Sequence, residues 1–274
     1  MSGELENRVA IVTGSSRGIG EAIARRLALA GATVVVTART VEVRDERLAG
    51  TVHTVAEAIE GLGGKALAVA CNMMKGEDRA RLVETVLAEL GRVDILVNNA
   101  AILVPGGTID FDERYYDRMF EILVKAPHHL CQLILPNMIE HASGSVLNIS
   151  SRGALHPAKP YSGSYGGSVY GMTKAAIERF TTGLAAEMYE HNISVNALSP
   201  NLVVPTPGQM FGRDYTQEML DASERVEVMA EAAFLLVSGD PKEQTGGICY
   251  SQDLLDERGA SPLDIGMKAP VPNA

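Results

Sequence analysis

Tryptophan is missing from this 274-residue chain, and aromatic residues of all kinds make up only 5% of it. A core must therefore be built from aliphatic side chains, and an apolar content of 46% is enough for a sizeable one. Cysteine is scarce. Cys71, Cys131 and Cys249 are odd in number, far apart and without a CxxC pair. That excludes a disulfide framework and a zinc site of the usual spacing, and the expected compartment is a reducing cytoplasm. Basic charge is not in excess. A net charge of −10 argues against nucleic acid as the main partner. No apolar run approaches the roughly 20 residues of a membrane span, so no membrane partner is expected. The first residues, MSGELENRV, carry neither a basic n-region nor an apolar h-region. Internal repeats, low-complexity blocks and linkers are also lacking. One domain over 1–274 is expected, ending in an irregular tail over 252–274.

What is present is alternation. Short β-branched runs at Val9–Val12, Thr33–Thr37, Lys65–Ala70, Val93–Val97, Ser145–Ile149, Ile193–Ala197 and Gly247–Ser251 read as strands. Amphipathic stretches between them read as helices, including a long one near Asp112–Ile139 that Pro127 and Pro136 should bend or break. A second long helix runs from about Ser168 to Glu190. The first two, VAIV and TVVVT, are continuously apolar rather than alternating, as strands buried on both faces are. The fold class is therefore α/β, a doubly wound parallel sheet with helices on both faces. The stretch 199–215, rich in Pro and Gly, reads as a mobile loop.

The chain is organised around RVAIVTGSSRGIG, residues 8–20. A buried strand leads through a turn containing Gly14, Gly18 and Gly20 into a helix whose apolar face begins at Ile19 and Ile23. Such a turn gathers backbone N–H groups at the positive end of a helix dipole, which suits a pyrophosphate. An ordinary tight βα turn fits the glycines about as well, so the rest of the chain must decide.

Two further signals bear on it. Tyr170 alone among the tyrosines has a lysine four positions on, Lys174 in YGMTK, and on a helix the two share a face. A neighbouring ammonium favours phenolate, which makes Tyr170 a candidate general acid or base for a carbonyl/alcohol pair. Ser150 and Ser151 follow the fifth strand, at the sheet edge where ligands of such folds bind, and a hydroxyl there can hold a carbonyl oxygen. Each signal alone also fits a plain surface or loop residue.

Taken in order, Thr13-Gly14-x-x-x-Gly18-x-Gly20, Asn98-Asn99-Ala100-Ala101, Ser151, Tyr170-x-x-x-Lys174 and Ser199-Pro200-Asn201 resemble the short-chain dehydrogenase/reductase family over roughly residues 5–252. The resemblance implies a Rossmann-like fold and an oxidoreductase that passes hydride between a nicotinamide cofactor and a small carbonyl or secondary alcohol. It assigns the proton to Tyr170 and the carbonyl contact to Ser151. Lys174 would lower the Tyr170 pKa and bind the ribose. Cofactor contacts are implied at Gly14, Ser16, Arg17, Gly18, Ile19, Gly20, Arg39, Asn72, Met73, Asn98, Ala100, Tyr170, Lys174 and Thr206, with Asn98 also bracing the central strands. It further implies a homo-oligomer, a dimer or tetramer, built on the helices near 112–139 and 168–190.

The second strand ends in Ala38-Arg39, with no acid before Glu42 to hold a ribose 2′-OH, and Arg17 lies inside the glycine turn. Two guanidinium groups suit a 2′-phosphate, so NADP(H) is expected over NAD(H). Leu123 occupies the position where many members of the family have an Asn that holds a relay water. A dinucleotide-binding scaffold with weak or no catalysis therefore remains the alternative. The stretch between Ser151 and Tyr170 is longer than usual and contains His156, Tyr161 and Tyr165, which form either a lid or a solvated loop. His128 and His129 lack a third ligand at metal spacing and read as ordinary helix residues.

Overall fold

The computed structural model describes residues 3–161 and 166–271. Among these, seven strands form one sheet: β1 (Val9–Thr13), β2 (Thr33–Ala38), β3 (Lys65–Ala70), β4 (Ile95–Asn98), β5 (Gly144–Ile149), β6 (Ile193–Ser199) and β7 (Ile248–Tyr250). Their order is β3-β2-β1-β4-β5-β6-β7, and every neighbouring pair is parallel. The helices are α1 (Gly18–Leu29), α2 (Val52–Gly61), α3 (Gly76–Leu90), α4 (Glu113–Phe120), α5 (Ala126–Glu140), α6 (Gly167–Met188), α7 (Pro207–Met210), α8 (Gln217–Asp221), α9 (Val226–Ser238) and α10 (Ser251–Arg258).

The apolar runs become strands because both faces are covered. Along β1, Val9 and Ile11 enter one core with residues of α3, α5 and α6, while Ala10 and Val12 enter another with residues of α1, α2, α9 and α10. Successive side chains of a strand point to opposite faces, so each face must find its own partner. With few aromatics, close packing is achieved by small side chains: Ala22 of α1 meets Ala230 of α9 and Ile265 from beyond α10.

Three expectations change. The helix near 112–139 is not broken but runs through a π-helical turn at Glu121–Lys125, where the Ala126 N–H bonds to Glu121 O. Pro127 has no N–H for the Leu123 carbonyl, and the wider turn accommodates that loss. Pro136 sits inside α5. The 199–215 loop contains the short helix α7, capped by the Thr206 hydroxyl and started by Pro207. The tail is not irregular from residue 252, because α10 extends to Arg258 and Gly259 in the left-handed region ends it. Only Leu254 and Leu255 provide its apolar side, too little for a visible period. Beyond it, Ile265 is fully buried, and Arg25 Nη1 donates to Gly266 O at 3.2 Å.

Where α1 crosses α9, Arg26 makes a two-pronged bond to Glu231 (2.6 and 2.9 Å), and its guanidinium lies 3.5 Å from the Phe234 ring centroid. Glu231 also accepts the Leu263 N–H at 3.4 Å, tying in the tail. Glu231→Gln leaves a buried guanidinium without its counter-charge. It should cost about 3 kcal/mol in urea unfolding, whereas a change within experimental error would show the pair to be dispensable.

Candidate active site

The order in which strands are added reverses between β1 and β4, and the carboxyl ends of those strands face the crevice where ligands of such folds bind. There the glycine turn meets the segment after β4. Gly14 has φ +67°, and a Cβ on it would lie 2.8 Å from the Ala100 Cα. A Cβ on Gly20 would lie 2.4 Å from Asn99 Nδ2 and 2.6 Å from Gly14 O. Only glycine allows these approaches. The junction is fastened by Thr13 and Asn99. The Thr13 hydroxyl accepts the N–H groups of Asn99 and Ala100, each at 3.0 Å, and Asn99 Nδ2 donates to Thr13 O at 2.8 Å. Ser15 Oγ accepts the Thr37 N–H at 2.9 Å, which fixes the end of β2 alongside. Ser16 is buried in the turn, and Ile19 packs against the core.

Arg17 is half-buried. It donates to Gly50 O (3.0 Å) and Ala49 O (3.3 Å), which draws the 46–50 segment towards the turn. Burial and the nearby Arg39 guanidinium both lower its pKa. Arg39 is exposed and makes no ion pair among the described residues. The two cations thus lie near one another, with Glu21 partly offsetting the effect on Arg17. Thr206 also comes to the turn, its Cβ 3.0 Å from where a Cβ of Gly18 would lie. Asn72 caps its own turn, Oδ1 accepting the Met74 N–H at 3.1 Å, while the buried Met73 offers its carbonyl to Arg79.

Asn98 lies deeper. Its Nδ2 donates to Asn148 Oδ1 at 2.9 Å, and Asn148 donates to the Thr181 hydroxyl of α6 at 2.9 Å. It therefore braces β4, β5 and α6, while the contacts on the glycine turn come from Asn99.

Tyr170 and Lys174 lie on one face of α6, both buried, with Lys174 Nζ 5.7 Å from the Tyr170 ring centroid. Lys174 Nζ donates to Ile149 O at 2.7 Å. Burial pushes this ammonium down to about 8, against an opposing pull from Glu178. Two residues after Ile149, Ser151 begins a 3₁₀ turn, and its hydroxyl accepts the Gly153 N–H at 3.1 Å. Between them Ser150 Oγ donates to Glu178 Oε1 at 2.6 Å. Two successive turns of α6 are thus attached to the end of β5 just before Ser151. Glu178 escaped the sequence reading, although its i+4 spacing from Lys174 was the available signal. Leu123 is buried in the π turn and packs with Met119, Val169 and Tyr170.

Other candidates separate from the site. His128 rests against the Phe180 ring, and His129 Nδ1 accepts from Arg79 Nε at 3.1 Å. Burial and Arg79 lower the His129 pKa, consistent with a neutral acceptor. His156 and Tyr161 are exposed, and Tyr165 lies outside the described residues. Burial pushes the Cys71 and Cys131 thiols up to about 12, so neither is a nucleophile. A cavity of about 1290 Å³ opens beside the turn, lined by Arg17, Gly18, Arg47, Thr206 and Phe211 among others. Among the described residues, no helix is long and apolar enough to cross a membrane.

The family model for short chain dehydrogenases matches residues 8–216. "Dehydrogenase/reductase SDR family member 4" of Homo sapiens is 36% identical over 247 residues, 90% of this chain and 81% of that protein. A metagenomic short-chain oxidoreductase solved in complex with NADP has a TM-score of 0.72 at 30% identity, over 90% of this chain and 98% of that one. A 7α-hydroxysteroid dehydrogenase complexed with NADH and 7-oxo glycochenodeoxycholic acid has a TM-score of 0.76 at 28% identity, over 90% and 97% of the two chains. The chain belongs to the short-chain dehydrogenase/reductase family of oxidoreductases.

The lowered Lys174 pKa predicts how stability depends on pH. Between about 8 and the ordinary lysine value near 10.5, the unfolded chain holds a proton that the folded chain has released. Unfolding free energy should therefore rise with pH across this window in the wild type relative to Lys174→Met. Parallel urea titrations at pH 7.5, 9 and 10 measure this, and a constant difference would contradict the burial of a titrating ammonium.

Proposed function

We propose that this chain is an NADP(H)-dependent oxidoreductase acting on a small carbonyl or secondary alcohol. The observation that carries the reading is convergence: the glycine turn, Tyr170, Lys174 and Ser151 all lie at the carboxyl edge of β1, β4 and β5. The turn suits a dinucleotide because its glycines pack it closely against the segment after β4 and lead directly into the start of α1. Its free N–H groups at the start of α1 would hold the pyrophosphate. Arg17 and Arg39 would hold a 2′-phosphate, since two guanidinium groups lie near the end of β2 and neither makes an ion pair among the described residues. The solved relatives include both NADP and NADH complexes, so the preference rests on these two arginines.

When bound, the dinucleotide supplies or takes the hydride. In the reductive direction, Tyr170 Oη gives its proton to the carbonyl oxygen that Ser151 Oγ orients. The Lys174 ammonium stabilises the phenolate left behind. Leu123 and its apolar neighbours keep water from that side of Tyr170. The ionisable group behind Lys174 is Glu178, attached through Ser150.

Leu123 also favours a second reading, a dinucleotide-binding scaffold with little catalysis. Turnover of NADPH with a panel of ketones and aldehydes separates the two. Tyr170→Phe should lower kcat by about 10²-fold or more. Unchanged turnover in that variant, with NADPH still bound, would support the scaffold. Arg39→Asp should reduce the preference for NADPH over NADH by about ten-fold. An unchanged ratio would remove the 2′-phosphate assignment. We also propose a homo-oligomer through α4–α6, where Tyr115, Tyr116 and Met172 remain exposed, to be read by light scattering.

A further inference from the structure

The segment between Val203 and Glu224 contains α7, α8 and Thr206, and both of its ends meet at one residue. The Glu224 N–H donates to Val203 O at 2.9 Å, which closes the base of the segment. The Glu224 carboxylate then takes the chain just before it. Oε2 accepts the N–H groups of Asn201 (2.9 Å) and Leu202 (3.4 Å), and Oε1 accepts the Ser251 hydroxyl at 2.5 Å. Glu224 is itself buried.

The anchor behind it is firm. Asn201 follows Ser199-Pro200, and its side chain ties this turn to α10. Asn201 Oδ1 accepts the Gln252 N–H at 2.8 Å at the start of α10, and Nδ2 donates to Asp253 Oδ1 at 2.8 Å. Arg152 Nη1 donates to Asn201 O at 3.1 Å. The base of the segment is therefore tied to α10 and to the turn that begins at Ser151. Its first half touches the glycine turn and the 46–48 segment, with Thr206 against Gly18 and the Arg47 guanidinium 4.6 Å from the Phe211 ring centroid.

We propose that Glu224 is the positioning residue of this segment. By closing its base against Asn201, Leu202 and Ser251, it holds Thr206 over the glycine turn and sets how tightly a dinucleotide is kept. The second half of the statement rests on the function proposed above. Hydrogen bonds to a buried charged acceptor are the strong kind, and here three donors converge on one carboxylate. Elsewhere the segment lies mostly at the surface. Segments of this kind open locally at little cost unless their base is fixed.

Hydrogen exchange on the full chain without ligand, together with NADPH fluorescence titration, tests the proposal. In Glu224→Ala the amides of 203–222 should exchange about ten-fold faster, with β1, β4 and β5 unchanged. Glu224→Gln keeps an acceptor oxygen and should fall between wild type and Glu224→Ala. Ser251→Ala removes one donor to Glu224 and a long, shared acceptor of the Asn201 N–H (3.3 Å), leaving both backbone bonds to Glu224, so it should loosen the same segment less and serves if Glu224→Ala fails to fold. The NADPH Kd should rise about five-fold in the loosened variants, and KM for NADPH should rise more than kcat falls. Unchanged exchange of 203–222, equal acceleration throughout the sheet, or a loosened segment with unchanged Kd would each overturn the proposal. If the wild type binds no NADPH, the cofactor reading fails, while the exchange data still decide whether Glu224 closes the segment.

Discussion

The contact between the ends of β1 and β4 is the constraint on which the rest of this structure depends. Backbone approaches backbone there so closely that Gly14 and Gly20 have no room for a Cβ, and the Thr13 hydroxyl and the Asn99 amide fill the remaining valences. The position follows from topology. A parallel sheet wound outward in both directions must leave a crevice where the order reverses, and here that is between β1 and β4. A glycine turn elsewhere in the sheet would meet no such partner.

Around that junction the chain distributes two kinds of electrostatics. On the β2 side, a half-buried Arg17 and an exposed Arg39 lie near one another, so that each feels the other's charge. On the β5 side, Lys174 is taken out of water, and Ile149 O and the more distant Glu178 only partly offset the loss. A buried ammonium beside a buried phenol is the arrangement that the proposed proton transfer from Tyr170 requires. The same acidic protein thus carries Arg17, Arg39 and Lys174 at one edge of the sheet.

Much of this was legible beforehand for a physical reason. Short runs rich in apolar residues alternate with amphipathic stretches, so all seven strands were visible within a few residues, and YGMTK placed its two side chains on one helix face. What escaped depends on three-dimensional neighbours. Asn98 and Asn99 are adjacent in sequence, yet the pleat sends one into the Asn148–Thr181 ladder and the other onto the glycine turn. The tie between Ser150 and Glu178 joins residues 28 apart, and the tie between Glu224 and Ser251 joins residues 27 apart. α10 was missed because two leucines among charged residues show no period. Leu123 was readable as a departure, but only the structure shows it inside a π turn against Tyr170.

A crystal structure of the chain with NADP⁺ tests the central claim most directly. The account predicts the pyrophosphate on the Gly14–Gly20 turn, the 2′-phosphate between Arg17 and Arg39, and the nicotinamide facing the Tyr170 hydroxyl. A dinucleotide bound away from the β1–β4 junction, or a 2′-phosphate turned away from both arginines, would contradict it.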